Sequence, residues 1–222
     1  MPFTGRGAYA GSVSRRTAPA LRALPLAALL LVGTACSGGD DGDAEQPLPS
    51  LSQAVSGQPT ISPGDFCDRI DERIFAETIG EVAESTSYGN GDPATLAPGV
   101  EDVAHEFSCT VTAADGATLR AWVFVPPVTP ERAKALVRSA GSAKGCTTAE
   151  AAFGEPGVRT LCSDADGAAT TTLQGLFTDT WFSCSASVPD LATADLGSGG
   201  LAKRTDAWCA SALSAAASGD SD

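Results

Sequence analysis

The chain has 222 residues, with 27 acidic against 14 basic side chains, a net charge of −13 and a single histidine. That acidic balance repels nucleic-acid phosphates and gives no charge-driven hold on an anionic lipid surface, so nucleic acid is not expected as a partner. Seven cysteines are present without a C-x-x-C pair, which removes the main support for a zinc ribbon or a thioredoxin-like redox centre.

The chain opens with a basic stretch carrying Arg6, Arg15, Arg16 and Arg22, followed by an uncharged apolar run from Ala23 to Val32. A bilayer span needs roughly 20 apolar residues, so this shorter run reads as the hydrophobic part of a signal peptide occupying residues 1–35. Gly33, Thr34 and Ala35 lead directly into Cys36, and the stretch resembles a bacterial lipobox. The resemblance implies that cleavage leaves Cys36 as the new N-terminus, carrying a diacylglyceryl group and anchoring the protein to the membrane. Two acyl chains hold where one is marginal, because each buried CH₂ contributes about 0.8 kcal/mol. The residues after Arg15 and Arg16 are not those of a twin-arginine signal, so the general secretory route is expected, ending lipid-anchored on the outer face of the cytoplasmic membrane. Loss of the leader, with its four arginines and no acid, makes the mature chain more acidic still.

Residues 36–62 comprise Cys36 and a Gly, Asp, Pro and Ser-rich stretch without hydrophobic period, which reads as a flexible tether. A coil of that length reaches about 28 Å. Asp40, Asp41 and Asp43 within it read as a solvated spacer rather than a calcium site. Residues 63–215 read as one domain and 216–222 as a frayed tail.

Ser62-Pro63 is a helix-start signal, and Phe66, Ile70 and Ile74 then recur at helical spacing up to Gly80. The run "HEFSCTVT" alternates Phe107, Cys109 and Val111 with polar residues, as a half-buried strand does. Across the Asp115-Gly116 turn, Leu119, Ala121 and Val123 alternate with Arg120, Trp122 and Phe124, giving a hairpin. A second helix is predicted from Thr129-Pro130 to Gly141. "CSDADGAATTTL" from Cys162 echoes "CTVTAADGATL" from Cys109, and "FSCSAS" at Phe182 echoes "FSCTVT" at Phe107. Internal duplication and coincidence in a chain rich in Ala and Thr both account for these echoes. A third helix carries Leu201, Trp208, Cys209 and Leu213. The expected fold is therefore α+β, an antiparallel sheet of about five strands with helices packed on one face.

With Cys36 consumed by lipid, Cys67, Cys109, Cys146, Cys162, Cys184 and Cys209 form an even set in an exported protein, hence three disulfides. The cysteine spacing leaves the connectivity open. The working assignment ties Cys67 to Cys209, Cys109 to Cys184 and Cys146 to Cys162.

The chain resembles small exported lipoproteins of high-GC Gram-positive bacteria that form a domain family of unknown function. The residues that carry the likeness are Phe66-Cys67 opening a helix that ends at Gly80, Phe107-Ser108-Cys109 on a strand before an Asp-Gly turn, and the helix start at Thr129-Pro130. It covers residues 63–141 best. More distantly, the pattern is similar to extracellular sensor domains of receptor kinases. The likeness implies location and fold, without an activity.

No nucleophile elbow or H-E-x-x-H helix is present, and His105 is in phase with Phe107 and Cys109 as a packed or rim histidine. Asp68, Asp71 and Glu72 read as a solvated helix face, and Asp164 and Asp166 as turn residues. No catalytic residue, metal or cofactor is expected. Trp122, Phe124 and Trp181 lie out of phase with the core residues of their strands, and either pack beneath helices or form an exposed aromatic platform for a ligand. The expectation is a non-enzymatic envelope protein that binds a protein or cell-wall ligand or serves a structural role. A small-ligand sensor using the aromatic face is the alternative, and a hydrolase without a recognisable motif is the second.

Overall fold

A computed structural model describes residues 49–97, 100–192 and 198–219. The expected leader, Cys36 and the tether up to residue 48 lie outside the described residues, as do residues 220–222. The described part belongs to one compact unit, Glu45–Asp222.

The elements in chain order are α1 (Leu51–Ala54), a 3₁₀ turn (Cys67–Arg69), α2 (Arg73–Ile79), β1 (Val82–Tyr88), β2 (Pro93–Ala97), β3 (Val100–Val103), β4 (Glu106–Ala113), β5 (Thr118–Phe124), α3 (Pro130–Ala140), β6 (Cys146–Glu150), β7 (Gly157–Ser163), β8 (Ala169–Phe177), β9 (Thr180–Val188) and α4 (Ser198–Ala217). Seven strands form one antiparallel sheet in the order β1-β4-β5-β9-β8-β7-β6, while β2 and β3 pair separately as a small hairpin. The α+β class is as expected, with two more strands than foreseen. From β5 the chain crosses by way of α3 to the far edge, then meanders back through β6, β7 and β8 until β9 closes on β5.

The alternation read in the sequence sets the faces. Cys109 and Val111 of β4, Leu119, Ala121 and Val123 of β5, and Phe182, Cys184 and Ala186 of β9 all face α2 and α4 and are fully buried. This is the main core, joined by Ile74, Trp208 and Leu213 from the helices. Arginines fasten the layer. Arg159 of β7 pairs with Asp206 of α4 at 2.5 Å, Arg204 donates to the Thr78 carbonyl at 2.9 Å, and Arg69 donates to the Ala215 carbonyl at 3.1 Å. The last two satisfy carbonyls in the final turns of α2 and α4, where a cation also suits the helix dipole.

Three expectations about the ends of the domain change. The fold begins before residue 63: Ser50 and Gln53 make a capping box that starts α1, and Ile61 is only 3% exposed. One helical turn is too short to show a hydrophobic period, so this segment read as tether. The helix expected from Ser62 is interrupted. A 3₁₀ turn is followed by extended Ile70, and α2 restarts only after Asp71 Oδ1 accepts the Arg73 backbone N–H at 3.0 Å. The Arg73 side chain also binds Asp71 and holds its carboxyl below the ordinary carboxylate range. At the other end α4 runs to Ala217 with Ala216 buried, past the expected boundary at 215.

The disulfides are Cys67–Cys109, Cys146–Cys162 and Cys184–Cys209. Only the edge-strand bridge, joining the directly opposed Cys146 and Cys162, matches the working assignment. Cys109 and Cys184 point to the same face, but Ala121 of β5 stands between them in register. Two strand spacings separate their backbones by roughly 9 to 10 Å, beyond the about 7 Å that a disulfide spans. Each therefore reaches up to the helical layer instead. The first sequence echo shares a hairpin turn: the Ala113 and Asp164 N–H groups donate to the Ala117 and Ala168 carbonyls, the Gly116 and Gly167 N–H groups donate back to the Ala113 and Asp164 carbonyls, and both glycines have positive φ. The cysteines of this echo do not correspond, since Cys109 faces α4 whereas Cys162 lies on the opposite face.

One turn carries local strain. Thr178 has φ +59°, in the two-residue connection between Phe177 and Thr180. Tight hairpin turns that match the sheet twist ask for a positive φ there, which glycine supplies freely and a β-branched residue does not. Thr178 is exposed, so Thr178→Gly is expected to stabilise the protein by about 1 kcal/mol. A urea titration would register this as a higher midpoint at unchanged slope.

Candidate ligand-binding site

The face of the sheet turned away from α4 carries the second half of each alternation. Across β8 and β9, Leu176 and Trp181 are directly opposed, and α3 lies over them with Ala133, Leu136 and Val137. Phe124 and Val128 join this smaller cluster. Trp181, at 2% exposure, and half-buried Phe124 therefore pack beneath a helix, the first of the two alternatives, and of the three residues Trp122 alone is left for an exposed platform. The phase of the strands identified the face correctly. It carried no sign that the connection to β6 would lay a helix across its end.

Trp122 has Ser108 of β4 and Ser183 of β9 as its cross-strand neighbours, both small and buried. Their Oγ atoms have no hydrogen-bond partner among the described residues. Two residues back on the same strand and face, the Arg120 guanidinium stands over the indole, 5.0 Å from the ring centroid. This cation–π contact restricts a side chain that would otherwise sweep solvent. Arg120 Nη2 also donates to the Tyr88 hydroxyl oxygen at 3.2 Å, and the Tyr88 hydroxyl in turn donates to Glu106 Oε1. The relay Arg120–Tyr88–Glu106 spans β5, β1 and β4, whose register places these side chains on one face.

The β2–β3 hairpin, inserted between β1 and β4, forms the other wall. Its base is pinned by Gly91 N–H to the Ala104 carbonyl and Ala104 N–H to the Asp92 carbonyl, both at 2.8 Å. The Asp92 carboxylate closes the preceding turn by accepting from Gly89 N–H at 2.7 Å. Gly91, at φ +93°, makes the reversal without strain. Between hairpin and sheet lies a cavity of about 550 Å³, lined by Tyr88, Glu106 and Arg120 on one side and Pro93, Asp102 and His105 on the other. That volume suits a small ligand. His105 sits exposed at the rim, and it hydrogen-bonds no carboxylate among the described residues.

A second cavity, about 540 Å³, opens between the Val55–Pro59 segment and the β8–β9 turn, lined by Gln58, Glu155, Phe177 and Thr178. It brings together fewer charged groups than the first. Among the described residues no cluster of three or more His, Cys, Asp or Glu could hold a metal ion, and no helix is long and apolar enough to cross a membrane.

Sequence reasoning named Trp122 but passed over Tyr88, Glu106 and Arg120. Arg120 carried a signal, being in phase with Trp122 two residues away. Tyr88 carried none, because β1 is too polar and exposed to show an alternation. Comparisons with family models, with curated proteins and with solved structures found no match to this chain.

Proposed function

We propose that this protein is a lipid-anchored binding domain of the cell envelope, non-enzymatic, with its ligand seat in the cavity between the β2–β3 hairpin and the sheet. The observation that carries this reading is the Arg120–Tyr88–Glu106 relay along one wall of a ligand-sized cavity. A guanidinium stacked on Trp122 and tied to Tyr88 has already lost much of the conformational freedom that binding would otherwise cost. The lipobox-like stretch before Cys36 supports the anchored, extracytoplasmic placement, and three disulfides suit an oxidising compartment.

The test is a thermal-shift screen of the full chain against peptides, sugars, lipids and divalent cations. A ligand that binds only the folded state stabilises it by about 2.7 kcal/mol at a hundredfold excess over its dissociation constant. The expected result is a shift that Arg120→Ala abolishes while the unliganded variant still melts cooperatively, since Arg120 is exposed. A shift that survives Arg120→Ala would place the seat elsewhere.

A further inference from the structure

Resting on that reading, we infer that the ligand of this seat is a small zwitterion, a free amino acid or short peptide, whose carboxylate is taken by Arg120 and whose ammonium is taken by the acidic groups opposite. Among the described residues Arg120 is the only lysine or arginine lining the cavity. Its ring-stacked guanidinium gives one N–H to Tyr88, and the Tyr88 hydroxyl is committed as donor to Glu106, so the phenol oxygen accepts from Arg120 in a fixed sense. The rest of the planar fork is held in one orientation and matches the two oxygens of a carboxylate.

The same cavity holds the carboxylates of Glu106 and Asp102. Two acids against one arginine leave the seat with an excess of negative charge. A phosphate, carrying more than one charge and no cation, would meet two like charges for one opposite charge. A neutral sugar would leave the guanidinium without a charged partner. A zwitterion balances both ends, and the half-buried Glu106 and exposed Asp102 supply the acceptors that an ammonium needs.

The experiment is titration of the full chain, followed by calorimetry and by NMR of the backbone amides, with alanyl-alanine, its C-terminal amide, its N-acetyl derivative, N,N′-diacetylchitobiose and inorganic phosphate. Alanyl-alanine is expected to bind and to move the Val103 and His105 amides. Amidation is expected to weaken it about tenfold or more, equivalent to about 1.4 kcal/mol, and Arg120→Lys to do the same, since lysine keeps the charge but loses the fork. Glu106→Gln should weaken alanyl-alanine while leaving the N-acetyl derivative unaffected, which a merely structural role for Glu106 would not produce. Equal binding of acid and amide, or no binding by alanyl-alanine at all, overturns the zwitterion. Chitobiose or phosphate moving the Val103 and His105 amides overturns it too, but leaves the seat standing. A ligand from the wider screen that leaves those amides in place overturns the seat itself.

Discussion

Gly175→Ala is expected to lose about 4 kcal/mol or more of stability, at the exceptional end of what a single substitution costs. The loop between β6 and β7 folds back over β8, with Glu155 N–H donating to the Leu176 carbonyl at 2.7 Å and Leu176 N–H to the Pro156 carbonyl at 3.2 Å. This presses backbone against backbone. A Cβ on Gly175 would stand 1.7 Å from the Phe153 carbonyl oxygen, and one on Gly157 would stand 2.4 Å from the same atom. Neither contact can be relieved by turning a side chain. What the loop delivers is Phe153, fully buried between Phe177 and Phe182 at centroid distances of 5.2 and 5.8 Å. A methyl group on β8 would push that ring out of the core, adding a large-cavity cost to the clash. Gly199 is the control: it lies in α4 without a positive φ, and a Cβ added to it would meet nothing within 4 Å. Gly199→Ala should therefore stabilise slightly, by a fraction of the about 1 kcal/mol that separates Gly from Ala in a helix interior, because Gly199 stands in the first turn of α4. Urea denaturation of the two variants checks the prediction, which fails if both shift the midpoint in the same direction.

The contrast between those glycines shows which part of the fold local sequence could reveal. Elements defined by their own residues were legible: the helix with Thr129 as cap and Pro130 at its first position, the Asp115-Gly116 hairpin, and the faces of β4, β5 and β9. Features that depend on distant parts of the chain were not. Nothing near Gly175 announces that a loop from residues 151–157 will rest on it, and nothing near Cys184 announces that β5 will separate it from Cys109. The candidate site divides in the same way. Trp122 and Arg120 share a strand and a phase, whereas their meeting with Tyr88 and Glu106 depends on β1 pairing with β4 across the inserted hairpin.

Removing the Cys67–Cys109 bridge by a double alanine substitution is expected to destabilise the protein by about 4 kcal/mol, the chain-entropy value for a loop of this size, with a sequence separation of 42. Alanine is the replacement of choice because Cys109 is fully buried and a serine there would hide a hydroxyl among apolar neighbours. For a domain whose total stability is of the order of 5 to 15 kcal/mol, that loss is a large share. It is also expected to be uneven. The residues before β1 contribute Ile61, Phe66, Ile70 and Ile74 to the core, and their covalent hold on the sheet is Cys67. Without the bridge, hydrogen exchange should rise most from residue 61 to residue 79, while β5, β8 and β9 at the centre of the sheet keep their protection. A uniform rise across the sheet would mean that the N-terminal segment and the sheet unfold as one unit. The seat is predicted to survive the change, because Arg120, Tyr88 and Glu106 stand on strands of the sheet and the bridge lies on its other face.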